Sequence, residues 1–424
     1  MDQAVRSALG SACEELRDAT EADAVDGVVP TVVARPGSTE QVAEVLKAAA
    51  AHGVAVVPRG RGTKLSWGRP PARADLVLDV SAMDRVLDHA AGDLIVEAQA
   101  GARLGDVQAA VAEGNQRLGV DETVPGASVG GTVVAGTSGP GRLALGTMRD
   151  LMIGVTVVRA DGVVAKAGGR VVKNVAGYDL GKLVHGSYGT LAVVTEAVFR
   201  LHPLPAARRF LTVEVDDPGH AHRLAQAVLH SHVVPGALEI DQPAHGSARL
   251  TVLLEGIAAG VAGRTETAAA LLGGSDGGHA DVAVTEEPPT GWGRYPWQDS
   301  GTGAADAGAT ALKATFAISA LADVLQAARS APAPVDVRGS AGVGVVYAAL
   351  PPGTDPADAA ATVDRLRTVC TGHGGSLVVL DAPRAVKDAV DTWGPIPALD
   401  LMRRVKDQFD PDHRLAPGRF VGGI

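Results

Sequence analysis

The sequence predicts a two-domain α+β protein, and three observations lead to this prediction. Up to about residue 205 short apolar runs alternate with glycine-rich loops, whereas beyond it apolar strands alternate with alanine-rich helical stretches. The prolines in His202–Pro205 would stiffen a connection between these regions. The chain has 424 residues, 46% of them hydrophobic, enough for one large core or two to three ordinary ones. We therefore expect one domain over residues 25–205 and a separate α+β domain over residues 206–395.

Composition and charge narrow the class of protein. The net charge of −10 argues against a nucleic-acid partner, because neutralising phosphates requires a dense basic face. Cys13 and Cys370 are the only cysteines, which excludes a disulfide framework and a cysteine metal site and fits a reducing cytoplasm. No uncharged apolar run reaches the roughly 20 residues that a membrane span needs. Any membrane attachment is therefore expected to come through a partner.

The first part of the chain predicts a strand–helix–strand unit. Residues 1–24 mix charged and small apolar residues and are expected to form one surface helix. A strand follows from Val28, and Ser38 with Gln41 three residues later is typical of a helix N-terminus. Gly53 is expected to end that helix, so that the next strand leads directly into a glycine loop.

That loop lies in the stretch Val54–Leu65, with the sequence VAVVPRGRGTKL. An apolar strand breaks at Pro58, and Gly60 and Gly62 then alternate with cationic residues. Backbone N–H groups that carry no neighbouring side chain can approach an anion closely, as in phosphate-binding nests. We interpret the stretch as a pyrophosphate loop. It differs from the dinucleotide fingerprint, because Leu65 stands where the third glycine belongs.

A second glycine-rich block covers Val124–Gly146. So much glycine is expected to prevent a regular strand or helix, and a floppy surface loop is the alternative. The apolar insert Val133–Ala135 and the strong strand Ile153–Val158 instead predict a loop pinned at both ends. A turn at Ala160–Gly162 then predicts a hairpin.

A third block contains KNVAGYDL at Lys173–Leu180 and HGSYGTLAVVTE at His185–Glu196. With this block the sequence resembles the flavin domain of the vanillyl-alcohol oxidase and p-cresol methylhydroxylase (PCMH) superfamily, most of all the FAD-binding E subunits of bacterial glycolate oxidase. A glycine loop after a strand, a P-G-x-x-S/T-x-G-G loop and a G-Y-D … G-S-x-G-T-L segment recur there in this order. The tail resembles the family's F-D-P … N-P-G-R ending at Phe409–Pro411 and Ala416–Arg419.

The resemblance implies a two-subdomain PCMH-type FAD-binding domain, an α+β cap domain for the substrate, and a tail, residues 396–424, that returns to the FAD domain. Some relatives bind flavin covalently through a histidine in the first loop or a cysteine in the second. Neither residue occurs in these loops, so the resemblance implies non-covalent FAD.

The resemblance also implies which residues hold FAD. Its pyrophosphate carries two charges, which backbone N–H groups and nearby arginines can stabilise, and Arg142 would add a polar contact at the second loop. Solvated loop charges remain the alternative for Arg59 and Arg61. The candidate cofactor-binding residues are Pro58, Arg59, Gly60, Arg61, Gly62, Thr63, Pro125, Gly126, Ala127, Ser128, Gly130, Gly131, Arg149, Asp150, Gly189, Thr190, Val194 and Arg419.

The candidate catalytic residues are Lys313, Tyr178 and Lys173. A substrate carboxylate needs a cation, and proton removal needs a base or a phenol. Strand alternation places Lys313 on the opposite face from Leu312 and Phe316, from which it could project toward the flavin. Tyr178 as a packed, hydrogen-bonded core residue is the alternative.

Two functions follow from the resemblance. The first is oxidation of a small 2-hydroxy acid such as glycolate or lactate, with electrons passed to a carrier or a partner subunit. The second is a catalytically silent, FAD-holding relay subunit of a glycolate oxidase complex. Hydroxy-acid oxidising relatives resemble one another in a histidine-rich metal motif, whose counterpart here, Arg338–Gly344, has no histidine. The i, i+2 pairs His220/His222 and His230/His232 would diverge on a helix, so no metal is expected there either.

One stretch of the second domain has no periodicity. Residues 285–310 are rich in Gly, Pro, Trp and Asp. They are expected to form either a mobile lid that carries Trp292 and Trp297 or an ordinary surface loop.

Overall fold

The computed structural model describes residues 1–171, 177–273, 281–300 and 308–424. Helices and strands occur throughout, and the predicted α+β class is confirmed. The chain divides into two compact units, and the first of them is discontinuous in sequence. Unit 1 contains Met1–Ser138, Gly146–Leu204 and Pro395–Ile424, and unit 2 contains Gly139–Leu145 and Pro205–Gly394.

The elements are as follows, in chain order. The first half of unit 1 contains α1 (Gln3–Ala12), β1 (Glu15–Asp18), β2 (Val32–Arg35), α2 (Thr39–Ala51), β3 (Val56–Arg59), β4 (Leu76–Asp79), β5 (Val86–Ala90), β6 (Ile95–Gln99), α3 (Leu104–Ala112), β7 (Gln116–Arg117) and α4 (Val129–Ala135). After α5 (Arg142–Leu145) come α6 (Met148–Leu151), β8 (Met152–Arg159), β9 (Val164–Gly168), α7 (Leu180–Val184), β10 (Ala192–Arg200) and β11 (His202–Pro203). Unit 2 continues with β12 (Ala207–Val215), α8 (Pro218–Leu229), β13 (Ala237–Gln242), β14 (Ala248–Gly256), α9 (Ala258–Gly273), β15 (Ala283–Thr285), β16 (Thr310–Thr315), α10 (Leu321–Arg329), β17 (Asp336–Ser340), β18 (Val345–Leu350), α11 (Pro356–Gly372), β19 (Ser376–Asp381) and α12 (Arg384–Ala389); α13 (Leu399–Phe409) belongs to unit 1 again.

The described part of unit 1 contains a four-stranded sheet, a five-stranded sheet and the short pair β11-β7. In the four-stranded sheet, of order β1-β2-β4-β3, β2 and β3 run parallel to the central β4. The five-stranded sheet, of order β5-β6-β10-β8-β9, is antiparallel throughout. Helix α2 begins at its predicted cap, where the Ser38 hydroxyl accepts from the Gln41 N–H at 3.2 Å, and it buries Val42, Val45, Leu46 and Ala49 in the common core. The strand–helix–strand prediction is thus confirmed.

The N-terminal segment differs from the expected single surface helix. Helix α1 buries Val5 and Leu9 in the core of unit 1. Strand β1 follows and pairs with β2, so residues 15–18 extend a sheet. Pairing with β2 satisfies backbone groups of a short polar segment that has no apolar pattern of its own.

The described part of unit 2 contains an eight-stranded antiparallel sheet of order β15-β12-β14-β13-β17-β18-β16-β19. Helices α8, α9, α10 and α11 contribute to one core with the sheet, and Leu312 and Phe316 are buried in it. Lys313 lies between them in sequence and is partly exposed, as strand alternation predicts. Its register partner on β18 is Tyr347.

The described part of the segment without periodicity packs against the same unit. Trp292 meets the Phe210 ring edge-on at 5.1 Å. Trp297 is buried and stacks on Tyr295 at 4.7 Å, and Tyr295 in turn lies 4.3 Å from Tyr347. Both tryptophans are therefore anchored to the sheet of unit 2. Residues 301–307 lie outside the described residues.

Candidate functional site

Unit 1 contains a cleft of about 730 Å³, including the space open to solvent. Stretches that are far apart in sequence form its walls: the loop after β3, the start of α4, the segment before and in β10, and the C-terminal tail. The lining residues are Pro58, Arg59, Gly60, Arg61, Gly62, Thr63, Lys64, Leu65, Val80, Ser128, Gly130, Gly131, Val134, Ala135, Tyr188, Gly189, Ala192, Val193, Val194 and Arg419.

The first loop begins at the carboxyl end of β3, and its residue Gly60 lies directly against Ser128 of the second loop. A Cβ atom on Gly60 would lie 2.2 Å from the Ser128 hydroxyl oxygen, so the two loops touch where only a glycine fits. Gly62 has φ of +75°, a conformation that disfavours other residues. In the described chain, the N–H groups of residues 60–63 donate to no protein acceptor. These donors are available to an acceptor in the cleft.

The arginine side chains of the first loop form ion pairs and hydrogen bonds with other residues of the protein. The Arg59 guanidinium is largely buried and pairs with Asp23 at 2.9 Å and Asp79 at 2.7 Å. Arg61 pairs with Asp84 at 3.2 Å and donates to the Gly101 carbonyl at 3.0 Å. Neither guanidinium is a purely solvated loop charge, because each is held by protein acceptors. Their backbones line the cleft.

Asp23 completes this charged network behind the loop. It accepts two hydrogen bonds from Arg17, both 2.7 Å long, and is 3% exposed. The bonds from Arg17, followed by those from the Thr20 N–H and Arg59, hold the pKa of the Asp23 carboxyl well below its usual range. The carboxylate is thus charged at neutral pH and fixes Arg59 in place.

Lys64 lines the cleft and was not among the sequence-predicted site residues. Its ammonium group lies 3.3 Å from the Thr63 hydroxyl and makes no ion pair with the described residues. Burial lowers the pKa of Lys64 to about 8, with Glu122 acting in the opposite direction. The sequence feature that could have indicated Lys64 as a site residue is its position beside Arg59 and Arg61 in the same loop.

The second loop corrects the expectation that its glycine content prevents a helix. Residues 129–135 form α4, capped by the Ser128 hydroxyl, which accepts from the Gly131 N–H at 3.2 Å. Gly130 is required by packing, since a Cβ there would lie 2.8 Å from the Ala100 Cβ. Gly136 then ends the helix in the left-handed conformation. Tertiary contact and capping outweigh the low helix propensity of glycine.

Three predicted residues of the second loop precede, in sequence, the part of the loop that lines the cleft. Pro125, Gly126 and Ala127 do not line it, although Gly126 shapes the turn with φ of +73° and donates to Glu122. Ser128, Gly130 and Gly131 do line it. The loop therefore presents its cap and first helical turn to the cleft.

The third segment and the tail close the wall. Gly189 has φ of +74°, and a Cβ there would lie 3.4 Å from the Pro58 ring. Thr190 points inward, where its carbonyl accepts from Lys406 at 2.7 Å. Arg419 is 4% exposed and donates to the Leu65 and Trp67 carbonyls at 2.7 and 2.8 Å. Through Arg419 the tail thus holds the end of the first loop in place.

Other predicted residues lie elsewhere. Arg149 and Asp150 are exposed and line a second cleft of unit 1 together with Tyr178, which is 92% exposed. Asp150 caps α6 by accepting from Thr147. The exposure of Tyr178 does not fit a packed core tyrosine. Lys313 belongs to unit 2, and Lys173 lies outside the described residues.

The loops around this cleft fit a flavin-binding site, and comparison with known proteins points to the same cofactor. Residues 30–168 match the family described as FAD binding domain. This part of the chain is similar to the PCMH-type FAD-binding domains, as its motifs predicted, and the match supports FAD as the cofactor. The chain is related to FAD-linked oxidases and dehydrogenases.

Two relatives are subunits of glycolate oxidase. The chain is 30% identical over 217 residues to glycolate oxidase subunit GlcD of Bacillus subtilis, which covers 51% of this chain and 46% of that protein. It is 35% identical over 150 residues to subunit GlcE of Escherichia coli, which covers 35% of this chain and 40% of that protein. The matched region is less than half the length of either relative.

A likeness over the whole chain is found among solved structures. A structure of alkyldihydroxyacetonephosphate synthase superposes with a TM-score of 0.74 at 16% identity, covering 99% of this chain and 85% of the other. At this identity the likeness shows the fold alone. Across the described residues, no helix has the length and apolarity to cross a membrane.

Proposed function

We propose that this chain is a FAD-dependent oxidoreductase that takes electrons from a small 2-hydroxy acid of the glycolate or lactate type. The observation that carries the proposal is the convergence of separate sequence stretches on one cleft of unit 1, where the N–H groups of residues 60–63 have no acceptor among the described residues. Such a nest suits a pyrophosphate, and the matched family binds FAD.

The residues of the cleft fit the two chemical parts of FAD. The N–H groups of residues 60–63, with Ser128 nearby, would hold the charged pyrophosphate. The apolar side chains of Leu65, Val134 and Val193 would exclude water from the flat rings. The isoalloxazine supplies the redox chemistry, and the protein supplies its binding, orientation and electrostatics.

We propose that the FAD is bound non-covalently, because the first two loops contain neither His nor Cys. Mild denaturation should then release intact flavin into the supernatant. Yellow colour that remains with the precipitated chain would contradict this binding mode.

We propose Lys313, Tyr178 and Lys173 as substrate-side residues. A hydroxy acid carries a carboxylate, which a lysine ammonium can pair with, and a phenol such as Tyr178 can share the proton of the hydroxyl group. Lys313 is partly exposed on the sheet of unit 2, beside Tyr347 in register. Tyr178 is exposed on unit 1.

One observation favours a second function, that of a catalytically silent relay subunit in a glycolate oxidase-type assembly. The segment Arg338–Gly344 forms the β17–β18 hairpin without a histidine, and Arg338 pairs with Asp241 at 3.1 Å. In the described part of the chain, no group of three His, Cys, Asp or Glu side chains could hold a metal ion. Under either function the electron acceptor would be a carrier or partner subunit, and both cysteines, which are free, fit a reducing cytoplasm.

Anaerobic reduction of the bound flavin separates the two functions. The isolated, flavin-loaded chain is mixed with glycolate, D-lactate and L-lactate without oxygen, and absorbance near 450 nm is followed. Bleaching by one of these acids supports the oxidoreductase. If dithionite bleaches the flavin but none of the three acids does, the result favours the relay subunit.

A further inference from the structure

Among the described cations of the cleft wall, Lys64 is the one that donates to neither a carboxylate nor a backbone carbonyl. Four cationic side chains line the cleft, and three of them are guanidinium groups held by protein oxygens: Arg59, Arg61 and Arg419. The Lys64 ammonium contacts only the neutral Thr63 hydroxyl.

The balance of charges around the first loop also points to Lys64. Arg17, Arg59 and Arg61 are matched by Asp23, Asp79 and Asp84, so this network carries no surplus charge. A pyrophosphate carries two negative charges, and moving an unmatched charge into a partly buried site is costly. Lys64 stands directly after residues 60–63, whose N–H groups have no acceptor in the described chain, and its ammonium would offset one of these charges.

We propose that Lys64 is the cation that pairs with the phosphates of FAD, and that loss of its proton makes cofactor affinity fall in mildly alkaline solution. The inference rests on the proposed FAD site. It assigns to Lys64 the role that the sequence motif suggested for Arg59 and Arg61.

The direction of the pH effect follows from linkage. Before FAD binds, burial lowers the pKa of Lys64 to about 8, and a bound phosphate would raise it again. Binding therefore takes up a proton above about pH 8. The affinity is constant below that pH and falls by up to about tenfold per pH unit above it.

Few other groups can produce the same effect. Glu122 is the charged group that acts on Lys64, and Thr63 is its hydrogen-bond partner. Carboxylates and guanidinium groups in general do not titrate between pH 7 and 9. Tyr188 also lines the cleft, and phenols titrate near pH 10, so measurements up to pH 9 avoid it.

The test is a titration of flavin-free protein with FAD and with riboflavin, which lacks phosphate, followed by flavin fluorescence between pH 6.5 and 9. At pH 7, Lys64→Met should weaken FAD binding about 10- to 100-fold, the usual effect of losing a charged hydrogen bond, and leave riboflavin binding unchanged. Lys64→Arg should retain FAD binding and lose the pH dependence, because arginine stays protonated. Lys166→Met removes the same charge from an exposed position on β9 and should match wild type.

The outcomes distinguish the inference from the proposed function. A wild-type protein that binds neither flavin would overturn both. If wild type binds FAD and Lys64→Met binds it equally well with the same pH dependence, the role of Lys64 is wrong and the FAD site stands. Equal weakening of FAD and riboflavin would also overturn the phosphate role. Circular dichroism of Lys64→Met checks that weaker binding does not come from unfolding.

Discussion

Gly60 and Gly62 stand two residues apart in the first loop and are required for different physical reasons. Gly60 has no room for a side chain, because its Cβ would lie 2.2 Å from the Ser128 hydroxyl oxygen. Gly62 has room, and its φ of +75° is the constraint. Sequence spacing indicated a nest but could not separate these two reasons.

We predict that Gly60→Ala and Gly62→Ala each lower the flavin content of the purified protein, and that the double variant lowers it most. The first displaces the loop from Ser128, and the second imposes backbone strain of about 1 to 3 kcal/mol. Far-ultraviolet circular dichroism of the flavin-free variants should match wild type, because β3 and α2 bury their apolar residues independently of the loop.

Gly53→Ala is the matched control for backbone strain. Gly53 has φ of +63° and open space around it, and it lies at the end of α2 outside the cleft lining. The Gly53→Ala variant should lose about as much stability as Gly62→Ala and keep its flavin. Full flavin occupancy in the Gly60→Ala, Gly62→Ala double variant would be incompatible with this loop as the pyrophosphate site.

The arginines of the same loop show what a sequence motif leaves open. Their proximity to the glycines suggested ligand contacts, yet the partners of Arg59 are Asp23 and Asp79, which lie 36 and 20 residues away in sequence. Only the pairing of β3 with β4, which sets Arg59 opposite Asp79, brings that carboxylate to it. No local pattern in the sequence encodes this register.

At the scale of elements, helix α13 connects the tail to the cleft through one buried ion pair. Lys406 and Asp410 are both fully buried, 2.6 Å apart. Lys406 also donates to the carbonyls of Thr190 and Leu415, and Asp410 accepts from the Leu415 N–H at 2.7 Å. Burial alone would raise the pKa of Asp410, but the Lys406 ammonium lowers it, so the carboxylate is charged.

We predict that Lys406→Met destabilises the protein by about 3 to 5 kcal/mol, because it leaves the Asp410 charge buried without a partner. Urea unfolding followed by circular dichroism measures the shift of the midpoint. Arg384→Met is the matched control, since Arg384 and Asp388 form an i, i+4 pair that is exposed, and its loss should cost less than about 0.5 kcal/mol. Equal, small shifts in the two variants would contradict a structural role for the buried pair.

Strands and helices with a clear period were predictable, and the exceptions have physical causes. Helix α2 and the β8–β9 hairpin followed from capping, apolar spacing and turn residues. Helix α4 did not, because its glycines are explained by the contact between Gly130 and Ala100, a residue about thirty positions earlier in the chain. Strand β1 was missed because its partner β2 provides the pairing, and its own four residues carry no apolar alternation.

For the whole molecule, sequence similarity and fold similarity cover different extents of the chain. The FAD-binding family covers residues 30–168, whereas the likeness to a solved structure covers 99% of the chain. The cofactor class was therefore predictable from motifs in unit 1. The substrate was not, because Lys313 belongs to no comparably specific motif, and the G-Y-D segment with Tyr178 indicates the family without indicating a particular acid.

Unit 1 is assembled from three chain segments, and the last of them, Pro395–Ile424, packs into its core. Val56 of β3 donates to the Arg414 carbonyl at 2.8 Å, and the Ala416 N–H donates back to Val56 at 2.8 Å. Leu415 is fully buried in the core of unit 1. The tail therefore provides backbone pairing for β3, core packing and part of the cleft wall.

We predict that a chain ending at Gly394 loses FAD binding entirely and that unit 1 becomes sensitive to proteolysis. Truncation tolerance depends on the burial and hydrogen bonding of the removed backbone. Here β3 keeps β4 but loses its backbone bonds to Arg414 and Ala416. Removal of Lys406 and Arg419 also leaves the carbonyls of Thr190, Leu65 and Trp67 without these donors. Limited trypsin digestion with mass spectrometry should map early cuts to residues 1–204 and find unit 2, which has its own core, more resistant. A truncated chain that binds FAD with wild-type affinity would show that the tail is dispensable, and the bracing role assigned to Arg419 would then be wrong.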